Sequence, residues 1–316
     1  LPTPRVHSST LSPEVTLTYK PSEDFTLFAA YKKAYKSGSF SIATPVVPDV
    51  DKAFGDEGVE GGEAGIKGRV FDRQMNFSLA GYRYTYSGLQ VGALVPVVNS
   101  VPLIRTMNAG AGRAYGMEFD MNFRPRAIEG LGLNGAVNWN HTKFIELINV
   151  PCYGGQTVGE GCTLSPDPVT GLNSGQDLSG TPFVRAPKWQ INAGFDYRLP
   201  VSSGLNLIIS NNNSYSSKYL GSIGRQADIY QRAFVKSDLS LTMQDSNDRW
   251  AVALIGKNLT NRLTSGSCAP GNTAAGNLGG QITGGTGSGP AGVDEVACYM
   301  DPGRQLWLRL TIKPFN

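Results

Sequence analysis

The chain has 316 residues, 28 Lys and Arg against 25 Asp and Glu, a net charge of +3, and charged residues at only 17%. So small an excess gives no basis for binding nucleic acid or an anionic surface. No run of about 18 apolar residues is present to form a transmembrane helix, but transmembrane strands stay open because each needs only about 9–11 alternating residues.

The chain begins at Leu1 without a basic start and apolar run, so no signal peptide is read and a piece of something longer is expected. Strands are predicted at 13–20, 25–35, 62–71, 75–87, 113–124, 131–146, 187–198, 205–218, 233–243, 249–258 and 304–314, and no amphipathic helix is found. The run AYGMEFDMNFR shows the pattern. Tyr115, Met117, Phe119, Met121 and Phe123 share one parity, and Glu118, Asp120, Asn122 and Arg124 the other. Successive side chains of a strand point to opposite faces, so this is a strand with one greasy and one charged face. Lys236, Asp238, Arg198 and Arg309 fall on the charged parity of their own strands.

Connections sort by length. Short turns at Pro21, Asp72, Pro125, Leu199 and Gln244 alternate with long connections at about 36–61, 88–112, 147–186, 219–232 and 259–303. An up-and-down transmembrane barrel alternates tight periplasmic turns with long extracellular loops in this way. A soluble sandwich, the competing reading, has no reason to do so. The expected fold is therefore all-β, an antiparallel up-and-down transmembrane β-barrel with about eleven strands here and its greasy face turned to lipid. On that reading Tyr82, Tyr84, Tyr86, Trp139, Trp189 and Trp250 belong to aromatic girdles at the two interfaces.

Cys152 with Cys162, and Cys268 with Cys298, lie in Gly-, Pro-, Asn- and Ser-rich segments without CxxC spacing, far from His7 and His141. Two loop-closing disulfides and an oxidising compartment are the better reading than zinc or redox chemistry, and no metal or cofactor is expected. The sequence has no HExxH, GxSxG or GxxxxGK[ST] motif, so no enzyme is read. The GGTGSG run at Gly284 has no following helix, and GKNL at Gly256 lies in a strand, so neither cradles phosphate.

Several stretches resemble the C-terminal barrel part of TonB-dependent outer-membrane receptors. LSPEVTLTYKPSEDFTLFAAYKKAYKSGSF from Leu11 is similar to that family's strand, turn and strand ending in a "GYKSGGF"-like loop start. EAGIKGRVFD from Glu63, LAGYRYTYSGLQV from Leu79, NAGAGRAYGMEFD from Asn108 and PGRQLWLRLTI from Pro302 follow in the family's order. RWAVALIGKNLTNR from Arg249 carries the most specific element, GKNLTN.

The resemblance implies that residues 1–316 are the C-terminal half of a 22-stranded barrel in the bacterial outer membrane, in contact with its lipid. It also implies energy-coupled import of a scarce substrate, most often an iron–siderophore complex. Coupling would pass from a TonB-type inner-membrane partner through an N-terminal plug that has no counterpart here. A passive porin, or a structural or adhesion barrel, is the alternative. Which substrate is taken is not legible.

Candidate ligand residues are Lys36 and Ser37 in YKSGSF, where a strand reaches the extracellular side; the plainer reading is a β-turn in which Gly38 supplies positive φ. Arg105 sits in the apolar stretch Leu89–Gly110, which would either meet a ligand's carboxylate or chelate charge or simply continue two strands as a hairpin. The segment Thr264–Met300, stapled by Cys268 and Cys298, reads as a mobile lid. The lumenal charges are expected to pair with the wall or a plug.

Overall fold

The computed structural model describes residues 5–41, 53–95, 103–108, 110–153, 156–166, 173–224, 229–270 and 296–313. One antiparallel sheet of eleven strands, each paired with its sequence neighbour, dominates them. The strands are β1 (Glu14–Ser22), β2 (Phe25–Lys36), β3 (Glu57–Val70), β4 (Met75–Ser87), β5 (Ala111–Phe123) and β6 (Leu131–Glu146). They continue with β7 (Trp189–Ser202), β8 (Leu205–Ser216), β9 (Phe234–Asp245), β10 (Trp250–Lys257) and β11 (Gln305–Ile312). All eleven expected strands are present. β3 begins earlier than expected, and β7 runs on through Pro200, which pairs with Asn206, leaving Ser203 and Gly204 as the turn.

The parity of the connections holds. One end of the sheet carries tight turns and the other carries every long connection, each with a small sheet of its own. At the turn end, Arg69 and Arg73 both reach Asp24 (3.0 and 2.9 Å), tying neighbouring turns together. At the loop end, Gln90–Val95 pairs with Leu103–Asn108, the hairpin continuation expected for the apolar stretch.

Register carries the sorting of side chains across the whole sheet. Directly opposed residues share a face, so Phe119, Val137, Ile191 and Tyr215 form one apolar row, and Leu241, Leu254 and Leu308 another. Asp120, Ala136, Asn192, Ser214 and Lys236 form a row on the opposite, polar face.

The apolar face is not covered. Leu308 is 77% exposed, Leu254 53% and Met117 49%. The buried apolar clusters lie instead among the loops: Val91, Phe144, Leu147, Val150 and Leu178 in one, Leu220, Ile229 and Cys268 in the other. A sandwich would bury the apolar face against a second sheet; here it is a contiguous exposed surface, of the kind that marks contact with a membrane or partner. No helix of the described residues is long and apolar enough to cross a membrane.

One expectation fails. Met75, Phe77 and Leu79 share the apolar face of β4, and Tyr82, Tyr84 and Tyr86 have the other parity, opposite Gly116, Ala114 and Gly112. The three tyrosines therefore stand on the polar face, not in a lipid-facing girdle. Trp139, Trp189 and Trp250 do lie on the apolar face. Trp139 and Trp189 pair at the loop end with ring centroids 6.4 Å apart, and Trp250 opens β10 at the turn end.

Candidate functional site

The loop-end half of the polar face is where side chains of different strands converge. Tyr82 donates from its hydroxyl to Asn140 Oδ1 at 3.0 Å, and Tyr84 donates to Glu63 Oε2 at 3.4 Å. Glu63 also receives Lys32 Nζ at 2.8 Å. The ring of Tyr82 lies over Gly116, where a Cβ would come within 2.9 Å of the ring and 2.2 Å of Trp139 O, so the glycine makes the room. Tyr86 meets Phe183 edge-on at 5.5 Å, and Phe183 leans on Phe144 at 4.7 Å, joining the tyrosine ladder to the loop cluster. Sequence reasoning missed this ladder as a site. The signal was available in the parity of Phe77 and Leu79.

Lys36 ends β2 opposite Glu57, and Ser37 follows it. Their carbonyl oxygens accept from Gln90 Nε2 at 3.4 and 3.0 Å, as does Gly55 O at 3.1 Å. Asn108 completes the knot, donating from Nδ2 to Gly55 O and Gly88 O. Gly38 is not in the left-handed region among the described glycines; its hydrogen is needed because a Cβ would sit 2.3 Å from Phe54 O. Gly38 N–H donates to Asp56 Oδ1 at 2.7 Å, and this bond, followed by one from the Ser8 hydroxyl, holds the Asp56 carboxyl below its ordinary value.

Arg105 lies on the Leu103–Asn108 strand opposite Ala93, while Gln90 pairs with Asn108 at the same hairpin's base. Its backbone is thus about 10 Å along the hairpin from the Lys36–Ser37 knot. Its side chain lies outside the described residues. Lys36 and Ser37 are brought to one loop base; Arg105 belongs to the adjoining hairpin.

The GKNLTN element fastens a loop base. Asn258, at φ 48° and buried, donates from Nδ2 to Arg262 O at 2.9 Å and Pro302 O at 3.2 Å, and accepts from Arg262 N at 3.0 Å. Its N–H donates to Asp238 Oδ1 at 2.8 Å, and Lys257 reaches Asp238 Oδ2 at 2.8 Å. Asp238 thus pairs within the wall, with Lys257, while Lys236 reaches Asp301 at a loop base at 3.0 Å. Arg124 lies 3.8 Å from Asp196, and Arg198 donates to Gln244 at 3.0 Å.

Both expected disulfides are formed, Cys152–Cys162 and Cys268–Cys298. The second bridges opposed residues of the hairpin Ser265–Pro270 and Val296–Met300. Residues 271–295, including the run at Gly284 and most of the expected lid, lie outside the described residues.

With the strand meander, its parity-sorted connections and its two unlike faces in place, residues 2–260 match the family model described as TonB dependent receptor-like, beta-barrel. The chain belongs to the TonB-dependent receptor family. TonB-dependent receptors are outer-membrane transport receptors, not enzymes, and in that setting the apolar face is the lipid side and the polar face the lumen.

Among solved structures, the chain is similar to the ferric yersiniabactin uptake receptor FyuA from Yersinia pestis, with a TM-score of 0.63 and 14% identity over 95% of this chain and 36% of that one. The siderophore receptor PiuA from Acinetobacter baumannii follows at 0.62 and 14%, over 94% and 35%. BauA, the ferric preacinetobactin receptor from the same species, scores 0.57 at 17% identity, over 95% and 36%. The chain thus spans about a third of each, and the likeness is one of fold. No protein of curated function matches in sequence.

Proposed function

We propose that residues 1–316 form the C-terminal part of the wall of a TonB-dependent receptor that imports a scarce nutrient, an iron–siderophore complex, across the bacterial outer membrane. What carries the reading is the family match over a meander whose long connections all gather at one end. On this reading those connections are extracellular and the tight turns periplasmic. Lys36, Ser37 and Arg105 contribute to the ligand-facing rim, where cationic and backbone groups meet an anionic chelate. The tyrosine ladder lines the lumen beneath it. Energy comes from a TonB-type inner-membrane complex acting through a plug supplied by another part of the receptor.

The protein's part is binding, release and exclusion of the unbound path, with no covalent step. The test is uptake of a panel of labelled ferric siderophores by cells carrying the receptor, with and without a working energising complex. Uptake that requires both supports import. Diffusive flux indifferent to the energising complex makes the barrel a porin, and no flux with normal outer-membrane assembly makes it structural or adhesive.

A further inference from the structure

The pairing of β6 with β7 stops short of the loop-side end of β6. β6 and β7 pair up to Trp139 and Trp189. Above that level Asn140 N donates to Lys188 O and Phe144 N to Thr181 O, both at 2.9 Å, but the segment between leaves β6 and crosses to β8's continuation. There Val184 bridges Leu220, and Arg185 N donates to Leu220 O at 2.8 Å. A cavity of about 380 Å³ remains in the gap.

Its lining is one-sided in charge. Lys143, Lys188 and Lys218 contribute to it, and no Asp or Glu does among the described residues. None of the three lysines is in an ion pair among the described residues. Lys218 Nζ stands over the Tyr230 ring at 5.9 Å, and Lys143 leans toward Gly180, its Cε 3.8 Å from where a Cβ there would be. Trp189 and Tyr219 supply further aromatic surface. A lining with three lysines and no carboxylate among the described residues favours an anion over a cation.

Depth narrows the chemistry. Trp189 belongs to the aromatic pair at the loop-end edge of the apolar face, and Lys143 lies four residues past Trp139 on β6, about 14 Å along the strand. The pocket therefore opens at the level where a membrane's polar headgroups meet water.

We propose that this seam pocket binds a phosphate-bearing anion, the three ammonium groups meeting its charge and the aromatic rings meeting the group attached to it. The inference rests on the orientation of the sheet and not on the transport reading. Two sources share the chemistry: the headgroup of a lipid in the loop-side leaflet, and a soluble phosphate.

The experiment uses the complete receptor in an uncharged detergent. Binding is measured for inorganic pyrophosphate and for short-chain phosphatidic acid in the same micelles, with phosphatidylcholine as the uncharged control. At least one anion binds, and the combined variant Lys143→Gln, Lys188→Gln, Lys218→Gln weakens it by about tenfold or more, since each lost charged hydrogen bond is worth about that factor. Arginine at all three positions restores binding. Pyrophosphate alone binding marks a soluble ligand; phosphatidic acid alone binding marks a headgroup.

Failure of both anions to bind, or equal binding by the parent and the glutamine variant, overturns the proposal. Should the glutamine variant not fold, the parent's salt dependence decides: affinity unchanged between about 50 and 500 mM salt also overturns it.

Discussion

Lys236 Nζ lies 3.0 Å from Asp301 Oδ2, joining strand β9 to the far side of the disulfide-stapled loop. Thr264, on the near side of that loop, receives Lys236 Nζ at 2.7 Å and donates to Asp301 Oδ2 at 2.5 Å. Three residues from three places thus close the loop's base. Asp301→Ala leaves the buried Thr264 hydroxyl without its acceptor and strips Lys236 of its counter-charge, leaving it only the Thr264 oxygen, a loss of about 1–3 kcal/mol in local stability. Faster proteolysis between Thr264 and Met300, with the barrel intact, is the expected readout.

The same latch has a pH dependence. The Thr264 hydroxyl first, and Lys236 second, hold the Asp301 carboxyl below its ordinary value of 3.8. A depressed carboxylate contributes stability that is present above its unfolded value and is lost as pH falls through the folded one. The protection of amides at the loop base, taken relative to their intrinsic exchange at each pH, should therefore hold from neutral pH down to about pH 5 and fall below about pH 4. Loss of protection between pH 7 and pH 5 would assign the opening to some other group.

Asn258→Ala removes the side chain's bonds to Arg262 and Pro302 and places a Cβ-bearing residue of poor left-handed propensity at φ 48°. The expected cost is about 2–4 kcal/mol. Asn258→Gly restores the backbone preference but not the bonds and should recover about 1 kcal/mol of it. Thermal unfolding of the three proteins in detergent measures the split; equal melting of Ala and Gly variants would remove backbone conformation from the account.

Tyr82→Phe removes a hydroxyl that donates to Asn140 Oδ1 and leaves the ring over Gly116 in place. About 1 kcal/mol is lost. Gly116→Ala should cost more, because the added methyl meets Trp139 O and not the end of a flexible chain. Melting temperatures in the reverse order would contradict the packing described for the ladder.

Cys152 and Cys162 are both buried, and their bond ties together the ends of the segment that links Val150–Pro151 to Leu164–Pro166, two strands of the small sheet that Asn173–Gln176 completes. Serine at both positions should loosen this small sheet by about 2–3 kcal/mol while the eleven-stranded sheet melts as before. Local and global exchange rates, measured together, separate the two.

Much of this architecture is legible in residue parity, because a strand's side chains have a period of two and any shift in register exchanges the faces. That is why Tyr115 through Phe123 and Leu306 through Ile312 sort correctly without any tertiary information. The tyrosines of β4 were misplaced because aromatic residues near a strand end suit a girdle equally well; the deciding evidence, Phe77 and Leu79 on the other parity, lay in the same strand. The knot of Gln90 and Asn108 around Lys36, Ser37 and Gly55 was not legible, since amide-to-carbonyl bonds between loop bases leave no periodic trace. The seam at Lys143, Lys188 and Lys218 was hidden for the same reason: its residues come from strand β6 and from two separate connections.

The central claim is that the apolar face meets lipid and the tyrosine-bearing face meets the lumen. It is tested by single tryptophans at Met117 and Tyr84, in a receptor whose native tryptophans, the four of these 316 residues included, are replaced by phenylalanine, reconstituted in bilayers of brominated lipid. Met117 stands on the apolar face and Tyr84 on the opposite one. Quenching at position 117 and not at 84 is the predicted result; quenching at 84 with none at 117 would contradict the orientation, and with it the reading of this sheet as a barrel wall.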